Sequence, residues 1–317
     1  MPVPRICVVG ASNIDLISYA PRLPRLGETL PATRFVTGFG GKGANQAVTA
    51  ARLGGQVSIV TRIGQDIFGD DTLRNFQEQG IDTQYVTATD RAATGVAPIW
   101  VEEGSGANAI LVALGANDLL TPADVERARP ALAQAHVVVG QWECPLDATL
   151  AALEIGHRAG ALTIFNPAPA RGELPATAYA HIDILCPNES ETETLTGQSV
   201  ADEEQARAAA ATLLARGPRH VILTLGARGS LLISPEAGTA KTAETFVPAQ
   251  AVRTVDTTGA GDAFVGSLAY FLGAGVALPT AMQRATHIAG ISVQSPGTQS
   301  SFPHQADLPP AFFQETP

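Results

Sequence analysis

The chain is poor in cysteine, aromatic residues and positive charge, and each shortage removes a class of function. Cys7, Cys144 and Cys186 are the only cysteines in 317 residues, odd in number, widely spaced and without a C-x-x-C pair. That pattern argues against a disulfide scaffold and fits buried thiols in a reducing compartment. Twenty basic residues against 30 acidic ones leave a net charge of −10, so no nucleic-acid partner is expected. The longest apolar stretch, near Tyr270 to Leu278, is interrupted by glycines and far too short for a bilayer, so no membrane partner is expected. Residues 1–10 lack a basic-then-apolar signal pattern, and the expected location is cytoplasmic. The histidines (His136, His157, His181, His220, His287 and His304) show no metal-ligand spacing, and no serine nucleophile elbow is present. The turn after the first strand, Gly10-Ala11-Ser12-Asn13-Ile14-Asp15, lacks the G-x-G-x-x-G of a dinucleotide fold.

What is present is a 45% apolar composition that supports a large core, laid out in a regular alternation. Ile6–Gly10, Val57–Ile63, Val137–Gly140, Leu162–Phe165, Ile182–Cys186 and Val221–Leu225 read as buried strands. Between or after them Ala44–Leu53, Phe68–Gln79, Pro122–Ala135, Leu146–Ala159, Glu203–Ala215, Asp262–Leu272 and Thr280–Gln294 read as helices. Thr121 and Asp202 supply N-caps, and Gly80, Gly160 and Gly217 supply stops. This order predicts one α/β domain over 1–317 with a mainly parallel sheet covered on both faces. Thr94–Glu102, the Gly104-Ser105-Gly106 turn and Ala109–Ala113 break the alternation as a β-hairpin. With Leu16–Phe39, they predict a small antiparallel sheet projecting as a lid, formed by about 12–40 and 93–113. Pro309 to Pro317 is expected to be a loose tail.

The most informative segment is Asp256-Thr257-Thr258-Gly259-Ala260-Gly261-Asp262, a tight small-residue turn running into the apolar helix from Ala263. Free N–H groups at a helix start, with the positive end of the helix dipole, make a site for phosphate oxygens. Asp262 lies beside where such an anion would sit. Anion hole and carboxylate together suggest phosphoryl transfer to a hydroxyl, although the same Asp262 could merely complement the dipole. Gly40-Gly41-Lys42-Gly43 also precedes a helix but is not a P-loop: Gly43 follows the lysine where Ser or Thr is required.

Phe39-Gly40-Gly41-Lys42-Gly43-Ala44-Asn45-Gln46-Ala47 and Asp256 to Phe264 resemble the two signatures of the ribokinase-like (PfkB) carbohydrate kinases. Gln141-Trp142-Glu143, Asn166-Pro167-Ala168-Pro169-Ala170, Pro187 to Glu191 and Thr224 to Gly229 also fit, and the resemblance covers nearly the whole chain. It implies a three-layer α/β/α sandwich with a small β-sheet lid, and an ATP-dependent sugar kinase with Mg²⁺ and K⁺. Asp262 becomes the catalytic base and Gly259, Ala260 and Gly261 the anion hole. Asn13, Asp15, Gly41, Lys42, Gly43, Asn45 and Glu143 become sugar ligands. Asn188, Thr224, Gly226, Gly229, Gly261 and His287 fall on the nucleotide side, with Thr286 and His287 both open as the residue that faces the base.

Asn188 and Glu191 match a pattern implicated in arranging Mg²⁺ through water, yet they also read as a capping box. Asp256, Thr258, Ser292, Ser295, Gly297 and Ser301 are the positions carried over for K⁺, an oxygen set suited to a hard cation. A plain loop accounts equally well for Ser295–Ser301, and Gly226 and Gly229 could be ordinary turn residues. The expected acceptor is the 5-hydroxyl of D-ribose, with deoxyribose, fructose or a nucleoside as alternatives. A non-catalytic sugar or nucleotide sensor is the reading from another class. An exposed lid edge is an aggregation liability unless paired, so a homodimer through the lid is expected.

Overall fold

The structure is a computed structural model that describes residues 1–236, 238 and 241–314. In chain order the elements are β1 (Arg5–Val9), β2 (Asn13–Ala20), β3 (Arg34–Gly40), α1 (Lys42–Arg52), β4 (Gln56–Gly64), α2 (Ile67–Glu78) and β5 (Val86–Thr89). There follow β6 (Gly95–Glu102), β7 (Asn108–Ile110), α3 (Pro122–Arg127), α4 (Arg129–Gln134), β8 (Val137–Gln141), α5 (Leu146–Arg158), β9 (Leu162–Asn166) and β10 (Ile184–Leu185). The last part holds α6 (Glu189–Thr196), α7 (Glu203–Leu214), β11 (His220–Thr224), β12 (Gly229–Pro235), β13 (Thr242–Pro248), α8 (Ala260–Gly273) and α9 (Leu278–Ser292).

Nine strands form the main sheet in the order β13-β12-β11-β10-β9-β8-β1-β4-β5. All neighbours from β11 to β5 pair parallel, and at one edge β12 runs against the rest, so that the β11–β12 and β12–β13 pairings are antiparallel. Because successive side chains of a strand point to opposite faces, β1 divides itself between two cores. Cys7 and Val9 join Leu132, Leu153 and Ala209 on one face, and Ile6 and Val8 join Ala47, Leu268 and Ile288 on the other. That is the three-layer α/β/α arrangement.

β3-β2-β6-β7 form a separate sheet of four strands. It differs from the expected antiparallel sheet in one pairing: β2 and β6 run parallel, in register from Asn13↔Gly95 to Ala20↔Glu102. Each of these two strands leaves the main body at the same level, Asn13 just after β1 and Gly95 shortly after β5, so they rise side by side. The hairpin partners β3 and β7 then pair antiparallel on the flanks.

Other local expectations resolve through single residues. Thr121 and Asp202 cap α3 and α7 by accepting from Asp124 N and Gln205 N. Gly80, Gly160 and Gly217 all have positive φ. The helix expected over Pro122–Ala135 is two, divided at Ala128, because Pro130 has no N–H to continue the ladder. The strand expected over Ile182–Cys186 is confined to Ile184–Leu185, and the β12–β13 hairpin and β5 were not anticipated. The expected tail is a 3₁₀ turn at Pro310–Phe313, with Phe313 against Tyr270 and Phe271 at ring distances of 6.0 and 5.9 Å; 315–317 lie outside the described residues.

α1 and α8 cross closely on the second face. A Cβ on Gly266 would lie 2.6 Å from Gln46 O and 2.7 Å from Thr49 Cβ, so only glycine permits this approach. Gly290 in α9 meets nothing within 4 Å. Gly266→Ala should therefore destabilise the fold by about 1–3 kcal/mol through overpacking, whereas Gly290→Ala should be neutral or add about 0.5–1 kcal/mol. Denaturant midpoints of the two variants test this, and equal midpoints would contradict the close crossing.

Candidate active site

The parallel strands all deliver their C-terminal ends to one rim, where an open α/β sheet binds ligands. Asn13 and Asp15 open β2 after the β1 turn, Lys42 begins α1, and Glu143 follows β8 by two residues. Asn166 ends β9, Asn188 caps α6, Thr224 ends β11, and Gly259 to Asp262 open α8. Gly41 has φ +86°, and a Cβ there would lie 2.7 Å from Ala11 O and Asn13 N. A side chain is thus excluded where the base of the lid meets the start of α1. Lys42 N donates to Glu143 Oε2 at 2.7 Å, tying that start to the end of β8.

Asp262 is buried at the floor. Asn45 Nδ2 donates to its Oδ2 at 2.9 Å and Gln46 Nε2 donates to its Oδ1 at 2.9 Å. Gln299 Nε2 donates to Asn45 Oδ1 at 3.1 Å, and Asn75 Nδ2 to Gln299 Oε1 at 3.0 Å. Asp262, Asn45, Lys42, Glu143 and Asp15 are therefore brought together. Of the amides expected to form an anion hole, Ala260 N–H is already given to Thr257 O at 3.2 Å. Gly261 and Asp262 follow it in the first turn, where amides have no carbonyl partner within the helix. Nothing lies within 4 Å of a Cβ position on Gly261, so that face is open. Gly259, at φ +78°, makes the bend itself; a Cβ there would strike Thr298 Cγ2 at 2.6 Å.

The electrostatics are those of one ammonium among several carboxylates. Burial pulls the Lys42 ammonium down, but Asp262, Glu143 and Glu191 outweigh it and hold it above its ordinary value. Burial raises the Glu143 carboxyl, opposed by Lys42, and raises the Glu191 carboxyl, opposed by its hydrogen bond from Asn188 N and by Lys42. Asp15 is pushed up to about 7, mainly by burial and further by Glu143 and Asp262, against one hydrogen bond from Thr298 Oγ1 at 3.3 Å.

Two chambers meet above Asp262. A cleft of about 730 Å³ is lined by Asn188, Thr224, Gly226, Gly229, Gly261 and Thr286, among others. A smaller one of about 140 Å³ is lined by Lys42, Asn166, Glu191 and Asp262, and shares Asn188, Thr224 and Gly261 with the first. His287 is a correction. Thr286, Ala289, Gly290 and Val293 share the helical face turned to the cleft, which rotates His287 away onto Phe312, with ring centroids 5.0 Å apart. Asn188 and Glu191 do form the capping box: Asn188 N donates to Glu191 Oε2, and Glu191 N to Asn188 Oδ1. They also line the smaller chamber, so capping and ligand readings coexist.

Asp256 closes the loop before α8. Its Oδ1 accepts from Thr258 N and Oγ1 at 2.9 and 2.6 Å, and its Oδ2 accepts from Gly297 N at 2.9 Å. Ser301 Oγ donates to Thr298 O and Ser292 Oγ to Ala289 O, whereas Ser295 is exposed. Asp256, Thr258 and Gly297 are thus directly joined, with Ser292 and Ser301 on the adjoining turns. This all-oxygen donor set fits a hard monovalent cation. Sequence reasoning left Gln46, Gln141, Asn166, Thr298 and Gln299 without roles; the first three stood inside the quoted motifs, but nothing in their spacing revealed whom they bond.

Fold and rim together define an α/β enzyme with a nucleotide-sized cleft that opens onto a small polar chamber around Lys42 and Asp262. The chain belongs to the pfkB family of carbohydrate kinases, whose family profile matches residues 3–305. It is 44% identical over 310 residues to a ribokinase of Mus musculus, covering 97% of this chain and 94% of that one. It is 42% identical over 298 residues to a deoxyribokinase of Salmonella typhi, covering 94% and 95%. The structure of an Arabidopsis thaliana ribokinase complexed with ribose and ATP superposes with a TM-score of 0.85 at 30% identity, covering 96% and 97%. No helix of the described residues is long and apolar enough to cross a membrane.

The raised Asp15 gives a sign-definite stability effect. The native state holds a proton that the unfolded chain releases near pH 4, so this group's contribution falls as pH rises through the window from about 4 to 7. Asp15→Asn removes that loss. Its stability relative to the parent should rise by about 1–3 kcal/mol between pH 4 and pH 8, read from denaturant midpoints; a pH-independent difference would contradict the assignment.

Proposed function

We propose that this chain is an ATP-dependent kinase that phosphorylates the 5-hydroxyl of D-ribose. The observation that carries the reading is the buried, doubly hydrogen-bonded Asp262 at the open start of α8, with Gly261 facing the nucleotide-sized cleft on one side and Asn45 and Lys42 on the other. ATP occupies the larger cleft, with Asn188, Thr224, Gly226 and Gly229 around it. The sugar lies among Asn13, Asp15, Gly41, Lys42, Gly43, Asn45 and Glu143. Asp262 takes the proton of the 5-hydroxyl as that oxygen forms its bond to the γ-phosphorus. The bond from phosphorus to the bridging oxygen breaks, and ADP leaves with the electron pair. First-turn amides at Gly261 and Asp262, the α8 dipole and the Lys42 ammonium stabilise the transferring phosphoryl group. Ala260, with its N–H committed to Thr257, shapes the turn.

Glu191 and Asn188 would hold Mg²⁺ through water, which neutralises phosphate charge when bound. Asp256, Thr258, Ser292, Gly297 and Ser301 would hold K⁺ beside the anion hole, with exposed Ser295 at the periphery. The lid sheet closes over the sugar and keeps water from competing for the phosphoryl group. Its exposed Phe35, Val36, Ile110, Leu111 and Val112 support pairing with a second copy as a homodimer. Three free, buried cysteines support a cytoplasmic location.

An acceptor panel with ATP, with and without K⁺, tests the substrate. Ribose should be preferred and K⁺ should raise turnover; a preference for deoxyribose would move the assignment to that sugar, in line with the 42% identical relative. Asp262→Asn should lower kcat by about 10²–10⁴-fold, and undiminished turnover would refute the base assignment. Leu111→Asp should shift the chain from dimer to monomer in light scattering, whereas a monomeric parent would exclude the lid interface.

A further inference from the structure

The amide of Gln46 is held more completely than any other group around the site. Gln46, Gln141, Asn166 and Asp262 are all buried. Both hydrogens of Gln46 Nε2 are spent, one on Asp262 Oδ1 at 2.9 Å and one on Asn166 Oδ1 at 3.1 Å. Its Oε1 accepts from Gln141 Nε2 at 2.6 Å, and the Asp262 carboxylate, which accepts only, fixes which end of the amide faces it. Asn166 is locked in turn, because its Nδ2 donates to Cys186 O at 2.8 Å. Gln141 has its place beside Gly10, where a Cβ would lie 1.9 Å from Gln141 Oε1. The backbone of Gln46 is set by the close crossing at Gly266.

We infer that Gln46 is a positioning residue that makes the two oxygens of Asp262 unequal, with Oδ1 clamped and Oδ2 the proton acceptor. The inference rests on the proposed role of Asp262 as base. Oδ2 is bonded to Asn45 Nδ2, and Asn45 is itself assigned to the sugar. That bond can be exchanged when a sugar hydroxyl arrives. The bond from Gln46 cannot, because Gln46 has no spare donor and no exposure to the chamber. A carboxylate tethered through one oxygen presents the other in a single orientation, and orientation of reacting groups is a large part of such a barrier. Without the clamp, rotation about the Cβ–Cγ bond lets either oxygen face the substrate or neither. Gln46 and Gln141 act through Asp262 and line neither chamber, whereas Asn166 also lines the smaller one.

The test is Gln46→Met, with Gln141→Met as a milder change that removes only the donor fixing the Gln46 amide. For each, kcat, KM for ribose and for ATP and the thermal midpoint are measured. Gln46→Met should lower kcat on the order of 10- to 100-fold, with both KM values within about twofold, a split that loss of packing alone would not give. Gln141→Met should move kcat in the same direction by less, and it carries the test if Gln46→Met fails to fold. A lowered thermal midpoint with kcat unmoved would overturn the inference and leave Gln46 a packing residue. Asp262→Asn, run alongside, separates the two levels. Full turnover there removes the base itself, while an inactive Asp262→Asn beside an unaffected Gln46→Met removes only the positioning role.

Discussion

Everything at the rim depends on the crossing of α1 and α8. Two helix starts are brought to one point, and the crossing is close only because Gly266 lets Gln46 O approach a position where any side chain would collide. From that contact follow the bonds of Asn45 and Gln46 to Asp262. The same crossing joins the loop of residues 40–43, which leads into α1, to the turn of residues 256–261, which leads into α8. Phosphoryl transfer between bound partners asks a protein mainly for positioning and charge stabilisation. A rigid helix pair suits the first requirement better than two loops do.

Charge is the second constraint, and it is arranged around a shortage. Lys42 is set among Asp15, Glu143, Glu191 and Asp262, and burial holds the Asp15, Glu143 and Glu191 carboxyls above their ordinary values even though each accepts a hydrogen bond. An overall acidic protein that binds a polyanionic nucleotide needs local sources of positive potential. Here these include Lys42, the Arg171 guanidinium that acts on Glu143, the α8 N-terminus and whatever cations accompany the nucleotide. Asp256 has a different task. It accepts two hydrogen bonds from Thr258 within the turn before α8 and one from Gly297 in the loop after α9, so that turn has its shape from protein contacts alone, before any cation is considered.

The strand–helix alternation, the caps at Thr121 and Asp202 and the glycine stops were legible because each rests on neighbours in sequence. The residues of both motifs also came together as expected, with Asp262, Asn45, Lys42 and Glu143 around one floor. What sequence could not show depends on rotation and on long-range contact. Thr286 and His287 are adjacent in the chain, yet the 100° between successive residues of α9 turns one to the cleft and the other onto Phe312. The parallel pairing of β2 with β6 arises from where the two strands leave the body, which neither strand's own pattern encodes. Ala260 fits the signature as well as Gly261 does, but its N–H is taken by Thr257 O.

The amide chain makes the same point from the other side. Gln46 stands one residue from Asn45 in a motif that is visible in sequence, and its side chain bonds residues 95, 120 and 216 positions away. A buried amide with all donors and its acceptor engaged has one orientation, so its neighbours inherit that orientation. In this way the end of β8, the end of β9 and the start of α8 are registered against one another through a single side chain. Short apolar strands place these three ends on one rim. The register between them, on the scale of a hydrogen bond, comes from the buried polar groups that the hydrophobic pattern leaves unassigned.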